Sequence, residues 1–286
     1  MMVSIASIIC LAASALIAVG GPFILFFVTR ARLHVRFIPV LIGAVTFIVF
    51  AGVFEQILHG VVLFRLFPRL ISTLPFVYAL YGALAAGVFE ELGRACAFLM
   101  LRRSHRPAEG VERAIGYGIG HGGIESLLGQ GLQVLNELIL AIMANSVGAS
   151  QLIASLSADK QMVVEQQLQQ LLANPSISWL LFGFERACSI SFHIAASVIV
   201  WMAVSGLIRK SWIVGAILLH ALSDFGAGLY QANALPIWAT ELWAIAVALL
   251  TIGVAVRLYR ASRRKSAARP DSAEAAEPAP DVSSAG

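Results

Sequence analysis

Long apolar runs, separated by short basic or proline-containing segments, dominate the chain. A bilayer core about 30 Å thick requires about 20 apolar residues for each helix that crosses it. Seven runs reach that length: 3–29, 37–58, 72–101, 114–144, 178–207, 211–231 and 236–257. The pattern therefore predicts an all-α fold, in which residues 1–259 form a polytopic transmembrane bundle of about seven spans.

Two segments depart from this pattern. Residues 145–177 contain a glutamine-rich stretch interspersed with apolar residues, which predicts an amphipathic helix at the outer membrane surface. This helix is either a lid over an entrance or a surface helix without that role. Residues 260–286 begin with a basic run and end in Ala, Pro, Ser and acidic residues, which predicts a disordered cytoplasmic tail.

Composition assigns the chain to the membrane proteins. Of its 286 residues, 59% are hydrophobic and 13% are charged, whereas a soluble domain carries about 25% charged residues. Lipid is therefore the expected solvent and partner, and no nucleic-acid binding is predicted. The three cysteines lie within apolar runs without metal or disulfide spacing, which indicates packing roles: Cys10, Cys96 and Cys188.

The distribution of lysine and arginine predicts the orientation. With the N-terminus outside, the inner loops and tail hold fifteen of the twenty basic residues, and the outer loops hold three. Cytoplasmic loops of membrane proteins carry such an excess. We therefore expect a multi-pass protein of the plasma (cytoplasmic) membrane, with its C-terminal tail in the cytoplasm.

Ionisable residues interrupt four of the predicted spans. Each costs at least ~2.5–3.5 kcal/mol at the centre of a membrane helix, so such residues mark a functional site by default. Several stand at helical i, i+4 spacing and share one helix face. The full set is Glu90, Glu91 and Arg94, then His121 and Glu125, then Glu185, Arg186 and His193, and finally His220 and Asp224.

The approximate depths of these residues predict a single site. At 1.5 Å per helical residue, most of them fall near the middle of the bilayer on its cytoplasmic side, while Glu185 lies farther out. Their five carboxylates exceed their two arginines by three charges, and an uncompensated buried charge must protonate, pair or bind a cation. Imidazoles combined with a carboxylate suit Zn²⁺ better than Ca²⁺ or Mg²⁺.

Simpler explanations exist for each feature. A buried histidine is usually a satisfied core residue, and Arg94 with Glu91 is equally explained as a structural ion pair. Loop positions or helix ends predict solvated side chains for His34, His59 and His105. Glu55 and Glu137, toward outer parts of their helices, are interpreted as structural.

Several of these strings together resemble a known group of membrane proteases. Phe89-Glu90-Glu91-Leu92-Gly93-Arg94 resembles the first motif of the CAAX-protease and bacteriocin-processing (CPBP) superfamily. The later motifs most closely resemble the YhfC branch of intramembrane metalloproteases, with the PrsW-type proteases as a nearby relative. These are Gly118 to Glu125, Phe184-Glu185-Arg186 with Phe192-His193, and His220 to Phe225.

The resemblance implies a metal-dependent endopeptidase. The cytoplasmic bias of the site favours a substrate that approaches from that side or laterally from the bilayer, such as a transmembrane or lipidated peptide. Glu90 and Glu91 match the catalytic glutamate pair of the resembled family, either of which is expected to act as the general base, and Arg94 is expected to orient them. His193 and His220 are the expected metal ligands, together with either His121 or Glu125, because Tyr117-x-x-x-His121 matches one branch and Glu125 the other. Asp224 and Arg186 are expected to support these ligands.

Two other classes of function stay open. A cation- or proton-coupled transporter also uses chains of Glu and His, although no internal repeat is visible in the sequence. A catalytically silent scaffold or immunity-type protein shares the same general fold, as the Aph subunit of gamma-secretase does among the resembled proteins. Metal content discriminates most cheaply between the enzyme and the scaffold.

Overall fold

The computed structural model describes residues 2–102 and 110–267. Within these ranges all regular secondary structure is helical. We number the main helices α1 (Ile5–Leu33), α2 (Phe37–Leu66), α3 (Pro75–Arg102), α4 (Val111–Val147), α5 (Ala158–Ala173), α6 (Ser176–Val204), α7 (Trp212–Gln231) and α8 (Ile237–Ala267). Two short helices, Leu70–Thr73 and Ala149–Ala154, precede α3 and α5.

Six of the described helices are long and apolar enough to cross a membrane: α1, α2, α4, α6, α7 and α8. The remaining predicted span corresponds to α3, which has 28 residues but carries Glu90, Glu91 and Arg94. The predicted all-α, multi-pass architecture is confirmed. The polar face of α3 packs inside the bundle, against α7, α2 and α6, and its opposite, apolar face is exposed.

The last helix, α8, ends later in the sequence than predicted. The last helix continues through the basic run to Ala267, so residues 260–267 are helical rather than part of a disordered tail. Alanine, arginine and lysine are strong helix formers, and cations are favourable in a last helical turn. Residues 268–286, and His105 of the predicted loop, lie outside the described residues.

The predicted amphipathic segment contains α5, which lies against one end of the bundle. Leu168 and Leu171 of α5 are buried in an apolar cluster with Leu11 and Trp179. Met162, on the same helix, is exposed. One face of α5 therefore packs on the protein, as the pattern of its apolar residues predicts.

The bundle is organised around α6. In its most apolar stretch 67% of the residues are buried, against 22% in α1, α2 and α8. Large apolar side chains such as Phe23, Phe27 and Leu249 instead point outward, as expected where lipid is the solvent. The central position of α6 places Arg186 and His193 between α4 on one side and α3, α7 and α8 on the others.

Glycines allow α4 to approach its neighbours at backbone distance. A β-carbon at Gly118 would collide with the backbone of Ile194 in α6, and one at Gly120 would overlap the carbonyl oxygen of Val40 in α2. Small residues at such crossings are typical of membrane helices, which gain van der Waals contact when their backbones come close. The two contacts hold His121, which directly follows Gly120, against the centre of the bundle.

Candidate metal centre

Three buried side chains from three helices converge at the centre of the bundle. They are Glu90 of α3, His193 of α6 and His220 of α7, and their ligand atoms all lie within 4.8 Å of one another. Their exposed fractions are 6%, 3% and 2%. A carboxylate and two imidazoles are side chains that bind metal ions in proteins.

Glu90 stands between two histidines. Its Oε2 lies 2.7 Å from Nε2 of His121 and 3.6 Å from Nε2 of His220. The His121 ring is fully buried, stacks on Tyr117 with ring centroids 5.6 Å apart, and meets the edge of Phe47 at 5.2 Å. His121 is thus held rigidly and directs one oxygen of Glu90 toward His220.

Glu91 is completely buried and approaches the other nitrogen of His220. Its Oε1 lies 2.8 Å from Nδ1 of His220 and 3.4 Å from Nη2 of Arg94. A carboxylate paired with arginine can only accept, so Nδ1 of His220 carries the proton and the lone pair of Nε2 is free. Histidines that bind metals are commonly oriented in this way by a carboxylate.

Arg94 links Glu91 to α6. Its guanidinium donates to the backbone carbonyl of His193 (3.0 Å), to Oγ of Ser197 (3.2 Å) and to Nδ1 of His193 (3.0 Å). On its other side, Nε2 of His193 contacts Oε2 of Glu125 closely. Both ring nitrogens of His193 therefore have partners, and a metal ion at this histidine has to replace one of them.

Glu125 connects the centre to a polar group farther along α6. Its Oε1 accepts hydrogen bonds from Nη1 of Arg186 (3.2 Å) and Oγ of Ser189 (3.0 Å). Arg186 also forms an ion pair with its neighbour Glu185. Glu125 thus contacts the candidate ligand His193 directly, whereas Glu185 contacts Arg186.

A cavity of about 380 Å³ opens beside this network. It reaches from His193 and Asp224 to Gln231 at the end of α7 and Ile237 at the start of α8. A π-helical turn in α4, Leu127–Gly131, widens that helix where Gly129 and Gln130 line the cavity. The cavity therefore runs toward the predicted outer end of the bundle, whereas the sequence favours an approach from the cytoplasmic side or laterally.

Asp224 is the carboxylate of the network most open to this cavity. Its side chain is 38% exposed, compared with 21% for Glu125 and none for Glu91. Its Oδ2 lies 3.5 Å from Nε2 of His220. A second cavity of about 310 Å³, on the α2 side of α7, also reaches Asp224.

The structure brings all the predicted site residues into one connected network: Glu90, Glu91, Arg94, His121, Glu125, Arg186, His193, His220 and Asp224. Two features differ from expectation. His59, predicted to be solvated, contacts Glu55 (3.1 Å) and Tyr81 (2.9 Å). Glu241 of α8, which the sequence analysis did not include, is buried and lines the larger cavity. Its position as an acidic residue within the last apolar run could have identified it as a candidate site residue.

The donor set fits a zinc ion. Two imidazoles and one carboxylate are a ligand set of zinc hydrolases, in which ligand atoms lie ~2.0–2.2 Å from the ion. Donor atoms within 4.8 Å of one another reach such distances through small side-chain adjustments. Oε2 of Glu91, buried and without a hydrogen-bond partner among the described residues, adds negative charge next to the ligands.

Comparison with known proteins shows the family. The family described as YhfC intramembrane metalloprotease matches residues 13–249. The chain is also 35% identical over 235 residues to a protein of Bacillus subtilis (strain 168) named uncharacterized membrane protein YhfC, covering 80% of this chain and 87% of that protein. The chain belongs to the YhfC family. No solved structure matches it, and a wider relationship to the CPBP and PrsW proteases stays a prediction.

Proposed function

We propose that this protein is a metal-dependent endopeptidase that hydrolyses a peptide bond within the membrane. The observation that carries the proposal is the buried cluster of Glu90, His193 and His220, whose ligand atoms lie within 4.8 Å of one another among membrane-spanning helices. The description of the YhfC family as intramembrane metalloproteases supports it. When bound, a zinc ion supplies Lewis-acid polarisation of a carbonyl and acidifies water.

The residues around the cluster divide into ligands and groups that orient them. Glu90, His193 and His220 would hold the ion, and Glu125, which touches His193, is the carboxylate that could join them. His121 and Glu91 orient Glu90 and His220, respectively, through their hydrogen bonds. Glu125, rather than His121, is the proposed additional ligand, because His121 packs between aromatic rings and is hydrogen-bonded to Glu90.

Asp224 is the residue proposed to accept the proton from the attacking water. A general base must lie within hydrogen-bond reach of that water and be open to it. Asp224 faces the cavity and lies 3.5 Å from the free nitrogen of His220. Glu91, the alternative offered by the paired-glutamate motif, has no exposed side-chain surface and already accepts from His220 and Arg94.

The test measures metal and cleavage separately. Zinc would be quantified by mass spectrometry in the purified protein. In parallel, peptide termini would be mapped in membranes of cells that express the wild type or Glu90→Gln. We expect about one zinc per wild-type chain, and new termini within hydrophobic segments that depend on Glu90. Stoichiometric zinc without new termini would contradict the peptidase, and folded protein without zinc would favour the scaffold.

A further inference from the structure

The larger cavity beside the metal centre is lined by more negative than positive charge. Four carboxylates face it, those of Glu125, Glu185, Asp224 and Glu241, against the single guanidinium of Arg186 among the described residues. Arg186 contacts both Glu125 and Glu185. One arginine balances only one of these two charges, so the lining keeps three excess negative charges when all four carboxylates are ionised. Glu125, Glu185 and Asp224 each contact an arginine or an imidazole, which leaves Glu241 as the lining carboxylate without such a contact among the described residues.

Glu241 takes no part in the metal centre or in the contacts that support it. It is 7% exposed, and its Oε2 is buried without a hydrogen-bond partner among the described residues. It lies one turn into α8, across the cavity from the α6 residues that line it. A buried carboxylate without a partner is costly, and a cationic partner removes most of that cost.

From this arrangement we infer that the cavity binds an organic cation, a primary ammonium or guanidinium group, with Glu241 as its carboxylate partner. The volume of about 380 Å³ lies within the usual range of ligand pockets. If the proposed peptidase function holds, on which this step rests, the cation is a lysine, an arginine or the amino terminus of the substrate. Such a residue in the cavity lies beside His193 and Asp224, which also line it.

The charge preference of the cavity can be measured without any peptidase activity. In a chain whose three cysteines, Cys10, Cys96 and Cys188, are replaced by serine, Ala244→Cys places one thiol in the cavity wall. This thiol is labelled with the cationic reagent methanethiosulfonate ethylammonium and, separately, with its anionic ethylsulfonate analogue. Each labelling rate is divided by the rate of the same reagent with a free thiol, and the ratio of the two results measures the charge preference of the cavity. We expect the cationic reagent to react at least about tenfold faster.

Glu241→Gln should reduce this ratio at least threefold, while Glu241→Asp retains it. Glu165→Gln, which removes the same charge from an exposed position of α5, is the matched control and should leave the ratio unchanged. Equal labelling by both reagents, or a ratio unaffected by Glu241→Gln, would overturn the cation site. Either result leaves zinc binding and cleavage untouched, so failure here is distinct from failure of the peptidase.

A second measurement needs no change at Glu241. Butylammonium should protect the Ala244→Cys thiol from neutral methyl methanethiosulfonate, whereas butanol should not. Equal protection by potassium chloride at the same concentration would assign the site to inorganic cations and contradict the inference.

The cleavage sites found by terminus mapping give a third measurement. Each site should lie within a few residues of a lysine, an arginine or the amino terminus of the substrate. The absence of such groups would overturn the assignment to the substrate.

Discussion

Nδ1 of His220 donates a hydrogen bond of 2.8 Å to the carboxylate of Glu91. The two residues belong to α7 and α3. These helices pack closely at Gly87, where a β-carbon would collide with the backbone carbonyl of Ile217. The contact fixes which nitrogen of His220 faces Glu90. It is also the reason that we propose Glu91 as an orienting group rather than as the base.

Glu91→Gln should therefore weaken zinc binding by about 10- to 100-fold, the effect of losing the group that orients a metal-binding histidine. Competition with a fluorescent zinc chelator measures the affinity. Glu137→Gln is the control, because Glu137 is a buried glutamate of α4 outside the network. An unchanged affinity in Glu91→Gln, accompanied by lost cleavage, would return the role of base to Glu91.

Asp224→Asn should abolish cleavage but keep zinc, because the amide fills the same volume and cannot accept a proton from water. The measurements are the zinc content of the purified variant and the terminus map of membranes that contain it. Ser223→Ala, at the neighbouring position of the cavity wall, should retain cleavage. Loss of zinc from Asp224→Asn would place Asp224 among the ligands.

Glu125→Gln and Glu185→Gln remove the same charge from two members of one ion-pair group. Glu125 contacts His193, so its variant should lower zinc affinity and cleavage at least tenfold. Glu185 contacts Arg186, so its variant should keep normal zinc content and measurable cleavage. Zinc lost from Glu185→Gln but kept in Glu125→Gln would show that the two glutamates have been assigned the wrong roles.

Gly120→Ala should destabilise the protein by about 1–3 kcal/mol, the usual cost of inserting a methylene into a packed interior. The new methyl group would overlap the carbonyl oxygen of Val40. Gly82→Ala is the control, since a β-carbon at Gly82 meets no described atom within 4 Å and alanine favours the helix by about 1 kcal/mol. Unfolding in denaturant, followed by tryptophan fluorescence, compares the two variants.

The predicted orientation can be tested by thiol labelling of intact cells. In the cysteine-free chain, Gln166→Cys on α5 should react with an impermeant reagent, and Lys210→Cys between α6 and α7 should react only after lysis. The expectation rests on the excess of basic residues in the predicted inner loops. The reverse pattern would place α5 and the open end of the larger cavity in the cytoplasm.

The sequence points to the residues that the structure brings together, but not to most of the contacts among them. Ionisable groups in apolar helices are costly enough to stand out, so His121, His193 and His220 are recognisable directly. Glu90 and Glu91, however, are neighbours whose directions differ by about 100°. Which of them faces His121 and which faces Arg94 depends on the rotation of α3 in the bundle, and no local pattern determines that rotation.

Glu241 shows a different limit of sequence reasoning. It has no ionisable neighbour three or four residues away in α8, so helical spacing offers no reason to connect it with the centre. Its significance comes from the cavity between α6, α7 and α8, and the shape of that space depends on how three helices tilt. The extension of α8 to Ala267 is likewise set by helix propensity in a segment whose composition alone indicates disorder.

The close crossings of α4 have a practical consequence for protein design. The close approach of α4 to α6 and α2 requires residues without a β-carbon at positions 118 and 120. Wider helix spacing would move copies of His121 and Glu125 away from their partners. Anyone who transplants this cluster into an artificial membrane scaffold must therefore copy Gly118 and Gly120 together with the histidines. The two glycines are as much a part of the transferable unit as the proposed metal ligands.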